Sequence, residues 1–206
     1  MNNYKEQPFI PAIQKTSTLV ILSAIALVSF VVSINSTTID ISPSYDMKIK
    51  AANLMRESMV ELKNVRMEAS VFIDDENDPN ETGLVGSPFS LITTDEGDLD
   101  AKLTTLDPNF SAGMVELMLR MNLQKGDTVA ILLTGSMPGA NIAILTAVNA
   151  MGLVPIVITS VGASQWGANQ TDFTWLDMES ILLTLTLLIR LEDIMELVLS
   201  EHTIGV

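Results

Sequence analysis

Two stretches concentrate residues suited to holding a ligand. Residues 134–141 (Thr-Gly-Ser-Met-Pro-Gly-Ala-Asn) and 160–169 (Ser-Val-Gly-Ala-Ser-Gln-Trp-Gly-Ala-Asn) are rich in Gly, Ser and Asn and low in charge. Each follows a short apolar run. Where such a run is a parallel strand, its carboxyl end is where α/β folds bind ligands. Small residues let the backbone bend tightly, and a helix that follows aims its free N–H groups at the mouth. That chemistry suits a carboxylate or phosphate, held by backbone donors and Ser136 rather than by basic side chains. The candidate ligand-binding residues are Gly135, Ser136, Gly139 and Asn141 from the first stretch, and Ser160, Gly162, Ser164, Trp166 and Asn169 from the second. The plainer alternative is that the small residues only make a strand-to-helix turn and cap the helix. The pattern Ser-x-x-Gly-Ala-Asn begins at both Ser136 and Ser164, but at different offsets from the preceding run, so it reads as coincidence.

Covalent and metal chemistry find less support. Ser136 lies in Gly-Ser-Met-Pro-Gly, which is not a Gly-x-Ser-x-Gly elbow. The single histidine, His202, stands far along the chain, and there is no cysteine. A serine without a base is a hydrogen-bonding group, and neither Lys102 nor Lys125 stands at a spacing that argues for a lysine base. No catalytic residue is assigned. Asp74, Glu76 and Asp78 alternate as in a calcium loop, but Pro79 replaces the turn glycine and no glutamate closes it. A solvated acidic loop is the expectation, and no metal site or cofactor is implied. Asp95, Asp98, Asp172 and Asp177 become acid–base or metal candidates only if folding brings them to one mouth.

The elements that must position these stretches follow from periodicity. Residues 128–133 (TVAILL) and 154–159 (VPIVIT) read as strands buried on both faces, and 141–151 as the helix between them, stopped by Gly152. Strand, helix and strand over about thirty residues make a βαβ unit with parallel strands and a right-handed crossover. Asp107-Pro108 begins another helix, with Phe110, Met114, Leu117 and Met121 at helical spacing. Residues 46–69 form an amphipathic helix with Ala52, Met55, Met59, Leu62 and Arg66 on one stripe. The segment 74–100, with nine acids and no base, is a loop. Helical periodicity returns over 178–200, where 181–189 is apolar enough to require a cover.

Residues 16–39 carry no charge, and 19–34 are almost wholly apolar. That is long enough to cross a bilayer. Lys5 and Lys15 precede it, which favours a cytoplasmic amino terminus and an extracytoplasmic remainder. A retained anchor fits better than a cleaved signal, because no small-x-small site follows. The expected organisation is a cytoplasmic terminus (1–15), a transmembrane anchor (16–39), an amphipathic linker helix (40–70) and a partial parallel-sheet, Rossmann-like α/β domain (71–206). Two firm strands are few for an independent sheet; 71–73 and 84–93 are candidates for more, and the domain reads as incomplete. Of the 206 residues, 25 are acidic and 11 basic, a net charge of −14, which argues against a nucleic-acid partner. Hydrophobic residues at 48% and charged ones at 17% exclude wholesale disorder.

An ordered set of motifs adds to this reading. Gly83-Leu-Val-Gly86, Ser90-Leu-Ile-Thr93-Thr94, Gly97-Asp98-Leu-Asp-Ala-Lys102, Asp107-Pro-Asn-Phe110, the two stretches above, and Phe173-Thr-Trp175-Leu-Asp177-Met-Glu179 resemble, over residues 80–180, the bacterial poly-gamma-glutamate system protein family. The resemblance implies a membrane-anchored protein that works with poly-gamma-glutamate synthase and export components at the cell envelope. It supplies no catalytic residue. Members of that family continue beyond the Trp-Leu-Asp-Met-Glu stretch, so a truncated or frame-shifted chain is expected. The expected function is an accessory role in making or exporting the polymer, with the lipid bilayer and a glutamate-type carboxylate as further partners. A hydrolase or amide-transferring enzyme and a non-catalytic scaffold are the alternatives.

Overall fold

The computed structural model describes residues 15–36, 41, 43–71, 73 and 76–184. The chain divides into two units, Met1–Ser42 and Pro43–Val206. The first holds one helix, α1 (Thr16–Asn35), with no buried residue and a mean hydropathy of 2.5. A helix satisfies its own backbone groups, so a helix of this length and composition is compatible with a bilayer. Among the described residues it is the one helix long and apolar enough to cross a membrane. A signal sequence shares those properties.

The second unit mixes helices with short, mostly parallel strand pairs. Its elements are α2 (Tyr45–Glu68), β1 (Thr93–Asp95), α3 (Leu99–Thr104), α4 (Asn109–Arg120), β2 (Thr128–Thr134), α5 (Pro138–Met151), β3 (Val154–Ser160), β4 (Ala163–Ser164), β5 (Asn169–Gln170) and β6 (Phe173–Thr174). Residues 175–184 are helical. The expected βαβ unit is present. β2 and β3 pair in parallel from Thr128↔Val154 to Thr134↔Ser160, with α5 between them in sequence. Pro138 opens α5, and Gly152 ends it in the left-handed region at φ 67°, a conformation that costs a residue without a Cβ little. β1 pairs with β4 in parallel, and β5 with β6 in antiparallel fashion.

Several sequence expectations change in the folded unit. β2 and β3 are not buried on both faces. Ile131 and Leu133 point into the core, but Leu132 is 76% and Ile158 64% exposed, with Ile156 beside them. The core cluster joins Ile131 and Leu133 to α2, α4 and α5, so the helices cover one face of the strand pair. Helix α2, expected as a linker, is a wall of the unit and packs against α4 and α5 through Ala51, Met55 and Leu62. Its Lys48 pairs with Glu116 of α4 at 2.7 Å. The stripe of α4 is turned from the expected one. Ser111, Val115 and Met118 are buried, whereas Leu117 and Met121 are exposed. Ser111 belongs to the buried face, where its hydroxyl meets Thr146 at 2.8 Å and donates to the Ala143 carbonyl at 3.1 Å.

Asp78 is not part of a solvated loop. It is fully buried and accepts hydrogen bonds from the Thr82 hydroxyl and the Gly83 N–H. Leu84 and Val85 are buried outside any strand, and pairing begins only at Thr93. Val71 and Ile73 are not in a strand, and Phe72 lies outside the described residues. In the last helix Trp175, Met178 and Leu182 are buried. The rest of the segment expected to be helical to residue 200 lies outside the described residues, as do Lys5 and His202.

Candidate functional site

The turns after β2 and β3 meet. Gly135 N–H donates to the Gly162 carbonyl at 3.1 Å, and Ala168 N–H donates to the Gly135 carbonyl at 2.7 Å. Gly135 therefore sits between the two flanks of the second loop. A Cβ there would lie 2.8 Å from Ala163 Cβ, so a side chain would push the loops apart. Gly167 closes the same junction, where a Cβ would come within 2.9 Å of the Ser136 carbonyl.

The nine candidate residues divide by what their groups already do. Asn141 is buried and donates to the Thr134 carbonyl at 2.7 Å, capping β2. Asn169, also buried, accepts from Ser87 N–H at 2.9 Å and donates to the Ser87 carbonyl at 2.8 Å and to the Thr93 hydroxyl at 2.9 Å. Both amides are used in holding loops. Trp166, at φ 63°, is partly buried and packs against the core, and its backbone pairs with Ser87 and Gly86. Gly139 is buried against α3, where a Cβ would stand 2.6 Å from the Thr105 carbonyl. Ser160 is exposed, and Ser136 and Gly162 are half-buried. These three lie nearest to solvent.

Ser164 and Ser136 are joined to each other and to a lysine. The Ser136 hydroxyl accepts the Ser164 N–H at 3.0 Å. Lys102 Nζ donates to the Ser136 carbonyl and lies 2.6 Å from Ser164 Oγ. Lys102 comes from α3, a short helix capped by Asp98, whose carboxylate accepts the Ala101 N–H at 3.0 Å. β1 pairs alongside β4, placing Asp95 opposite Ser164, and the loop from Asp95 to α3 is fastened by Gly97 N–H to the Gln165 side chain at 3.2 Å.

Lys102 is 5% exposed, and among the described residues no carboxylate lies within ion-pair distance of it. Burial lowers its affinity for a proton below that of an ordinary lysine, and the charge of Asp98 opposes that only in part. The junction therefore holds a titratable side chain beside its neutral groups. The sequence reading set Lys102 aside for want of a telling spacing, although one signal was visible. Leu99, Lys102, Leu103 and Leu106 fall on one helical face, so the lysine occupies an apolar stripe. Asp172 and Asp177 do not join the cluster; Asp177 receives the Thr174 N–H at 2.8 Å.

No protein-family model, curated protein or solved structure matches the chain.

Proposed function

We propose that this chain is a membrane-tethered accessory protein of poly-gamma-glutamate production or export, and that it receives a γ-glutamyl carboxylate at the junction of its two strand-end turns. The single observation that carries the site is the Gly135–Gly162 hydrogen bond, which brings Ser136, Ser160 and Gly162 together at the carboxyl ends of β2 and β3. Beside them α5 opens with Pro138, and its first-turn N–H groups have no partner within the helix. Such groups attract an anion. In this reading α1 is a retained anchor, the second unit is a partial Rossmann-like domain outside the cytoplasm, and the polymer is met at the envelope.

The motifs over residues 80–180 support the polymer assignment, and the length and hydropathy of α1 support the tether. The test uses the full chain in detergent micelles, titrated with a γ-linked glutamate oligomer and followed by tryptophan fluorescence. Saturable binding is expected, weakened by Ser136→Ala and more strongly by Ser160→Glu, which places a repelling charge at the exposed edge. A neutral oligomer of equal length is expected to leave the signal unchanged. Absence of any response at millimolar oligomer overturns the carboxylate site.

A scaffold role for synthase or export components is the second reading. It rests on the open apolar face of β2 and β3, where Leu132, Ile156 and Ile158 are exposed. Parallel strand pairs are ordinarily covered on both faces.

A further inference from the structure

We propose that Ser164 and Lys102 form a serine–lysine acyl-transfer centre, with Ser164 Oγ as the nucleophile and Lys102 as its general base. The choice of a γ-glutamyl amide as substrate rests on the function proposed above, whereas the pair itself does not.

Three observations meet at these two side chains. Lys102 Nζ stands 2.6 Å from Ser164 Oγ, within reach for direct proton transfer. Its amine is aimed there by the Ser136 carbonyl, which takes one N–H. The Ser164 backbone is fixed in turn by its N–H to the Ser136 hydroxyl, and by the pairing of β4 with β1. Ser136 therefore orients both partners, through its carbonyl on one side and its hydroxyl on the other. A buried ammonium with no carboxylate in contact is costly, and the charge of Asp98 offsets that only in part. The neutral amine, with one N–H on Ser136 and its lone pair toward Ser164, fits the same geometry without that cost. This is the environment in which a lysine serves as a base. Ser164 is 8% exposed, and Ser136, whose hydroxyl takes its N–H, is half-buried.

The step balances without any redox partner. Ser164 Oγ bonds to the amide carbonyl carbon as its proton passes to Lys102 Nζ. The carbon–nitrogen bond then breaks while Lys102 returns that proton to the leaving amine. Water adds to the resulting ester as Lys102 takes one of its protons, and Ser164 leaves with the proton restored. An amine in place of water gives transfer rather than hydrolysis.

A fluorophosphonate tests the pair without assuming a substrate, because it phosphonylates an activated serine with loss of fluoride. The full chain in detergent micelles is treated with it and analysed by intact mass and peptide mapping. An adduct on Ser164 is expected, absent in Ser164→Ala and formed on the order of 100-fold or more slowly in Lys102→Met. In the unmodified chain the labelling rate is expected to rise with pH and level off below the usual lysine range. That profile remains decisive if Lys102→Met fails to fold. A lysine that only pins the loops leaves Ser164 unlabelled at every pH, and this overturns the proposal. An adduct on another serine, or one formed equally fast in a folded Lys102→Met protein, overturns it as well. A γ-glutamyl anilide is assayed alongside. Release of the aniline supports both the pair and the polymer assignment. A Ser164 adduct without aniline release sustains the pair and removes the γ-glutamyl substrate.

Discussion

Arg66 and Lys102 are both buried cations of the second unit, and they are held in different ways. Arg66, 1% exposed, donates to the Gly83 carbonyl at 2.5 Å and to the Gln170 side chain, and its guanidinium lies 5.8 Å from the centre of the Phe173 ring. Burial brings it down to about 10, and the charge of Asp78 acts in the other direction. Its neighbours come from the 78–84 loop and the β5–β6 hairpin, so one planar fork ties the end of α2 to both. Among the described residues the hydrogen-bond partners of Lys102 Nζ are a carbonyl and a hydroxyl, at the mouth of two turns. The first cation faces an aromatic ring and the charge of Asp78 besides its two oxygen acceptors. The second has as one of its two partners a hydroxyl, which can donate as well as accept. Burial alone separates neither structural from chemical roles; the partners do.

The largest expected effect breaks the first arrangement. Arg66→Met removes the donor to the buried Gly83 carbonyl and is expected to cost on the order of 3 kcal/mol. Urea unfolding of the full chain in micelles, followed by the buried tryptophan Trp175, measures it. Next comes Gly139→Ala. The added methyl meets the Thr105 carbonyl, so α3 must shift, at about 2 kcal/mol. Fluorophosphonate labelling of Ser164 should fall with it, because α3 carries Lys102. Labelling that persists in a destabilised Gly139→Ala protein would separate α3 from the chemistry.

Lys102→Met sharpens the contrast, since its effect on stability is expected to stay within about 1 kcal/mol of neutral while labelling is lost. The pH dependence has a definite sign. The folded Lys102 loses its proton below the ordinary value of 10.5, so over the interval up to 10.5 the unfolded chain binds more protons. Stability should therefore rise with pH across that interval, and the rise should vanish in Lys102→Met. Unfolding midpoints at a series of alkaline pH values check this. The smallest effect is expected on the open strand face. Leu132→Ser with Ile158→Ser removes side chains that are already exposed, and the midpoint should move by less than about 0.5 kcal/mol. A large loss would mean that this face is covered. Retention of synthase subunits by the unmodified chain, lost in the double variant, would support the scaffold reading.

Much of the architecture was legible from local pattern. The uncharged run of α1, the β2–α5–β3 succession and the stop at Gly152 each depend on neighbouring residues, and each is present. Burial phase was less legible where a polar residue joins the core. The buried face of α4 includes Ser111, whose hydroxyl meets Thr146 on α5, a pairing 35 residues apart that hydrophobicity counts against. The strands were read as buried on both faces because an apolar run does not say which side will be covered.

The candidate site divides in the same way. Gly135, Ser136, Gly162 and Ser164 were recognisable as strand-end turn residues. Asn141 and Asn169 were chosen for the same polarity, yet their amides serve the loops. Sequence by itself determined where the chain can bend, where it is apolar, and that two small-residue turns would follow two parallel strands, because these depend on local sterics and periodicity. Tertiary structure alone decided that Lys102 would reach Ser164 across 62 positions, because the packing of α3 against the start of α5, with the pairing of β4 on β1, sets the distance between an amine and a hydroxyl.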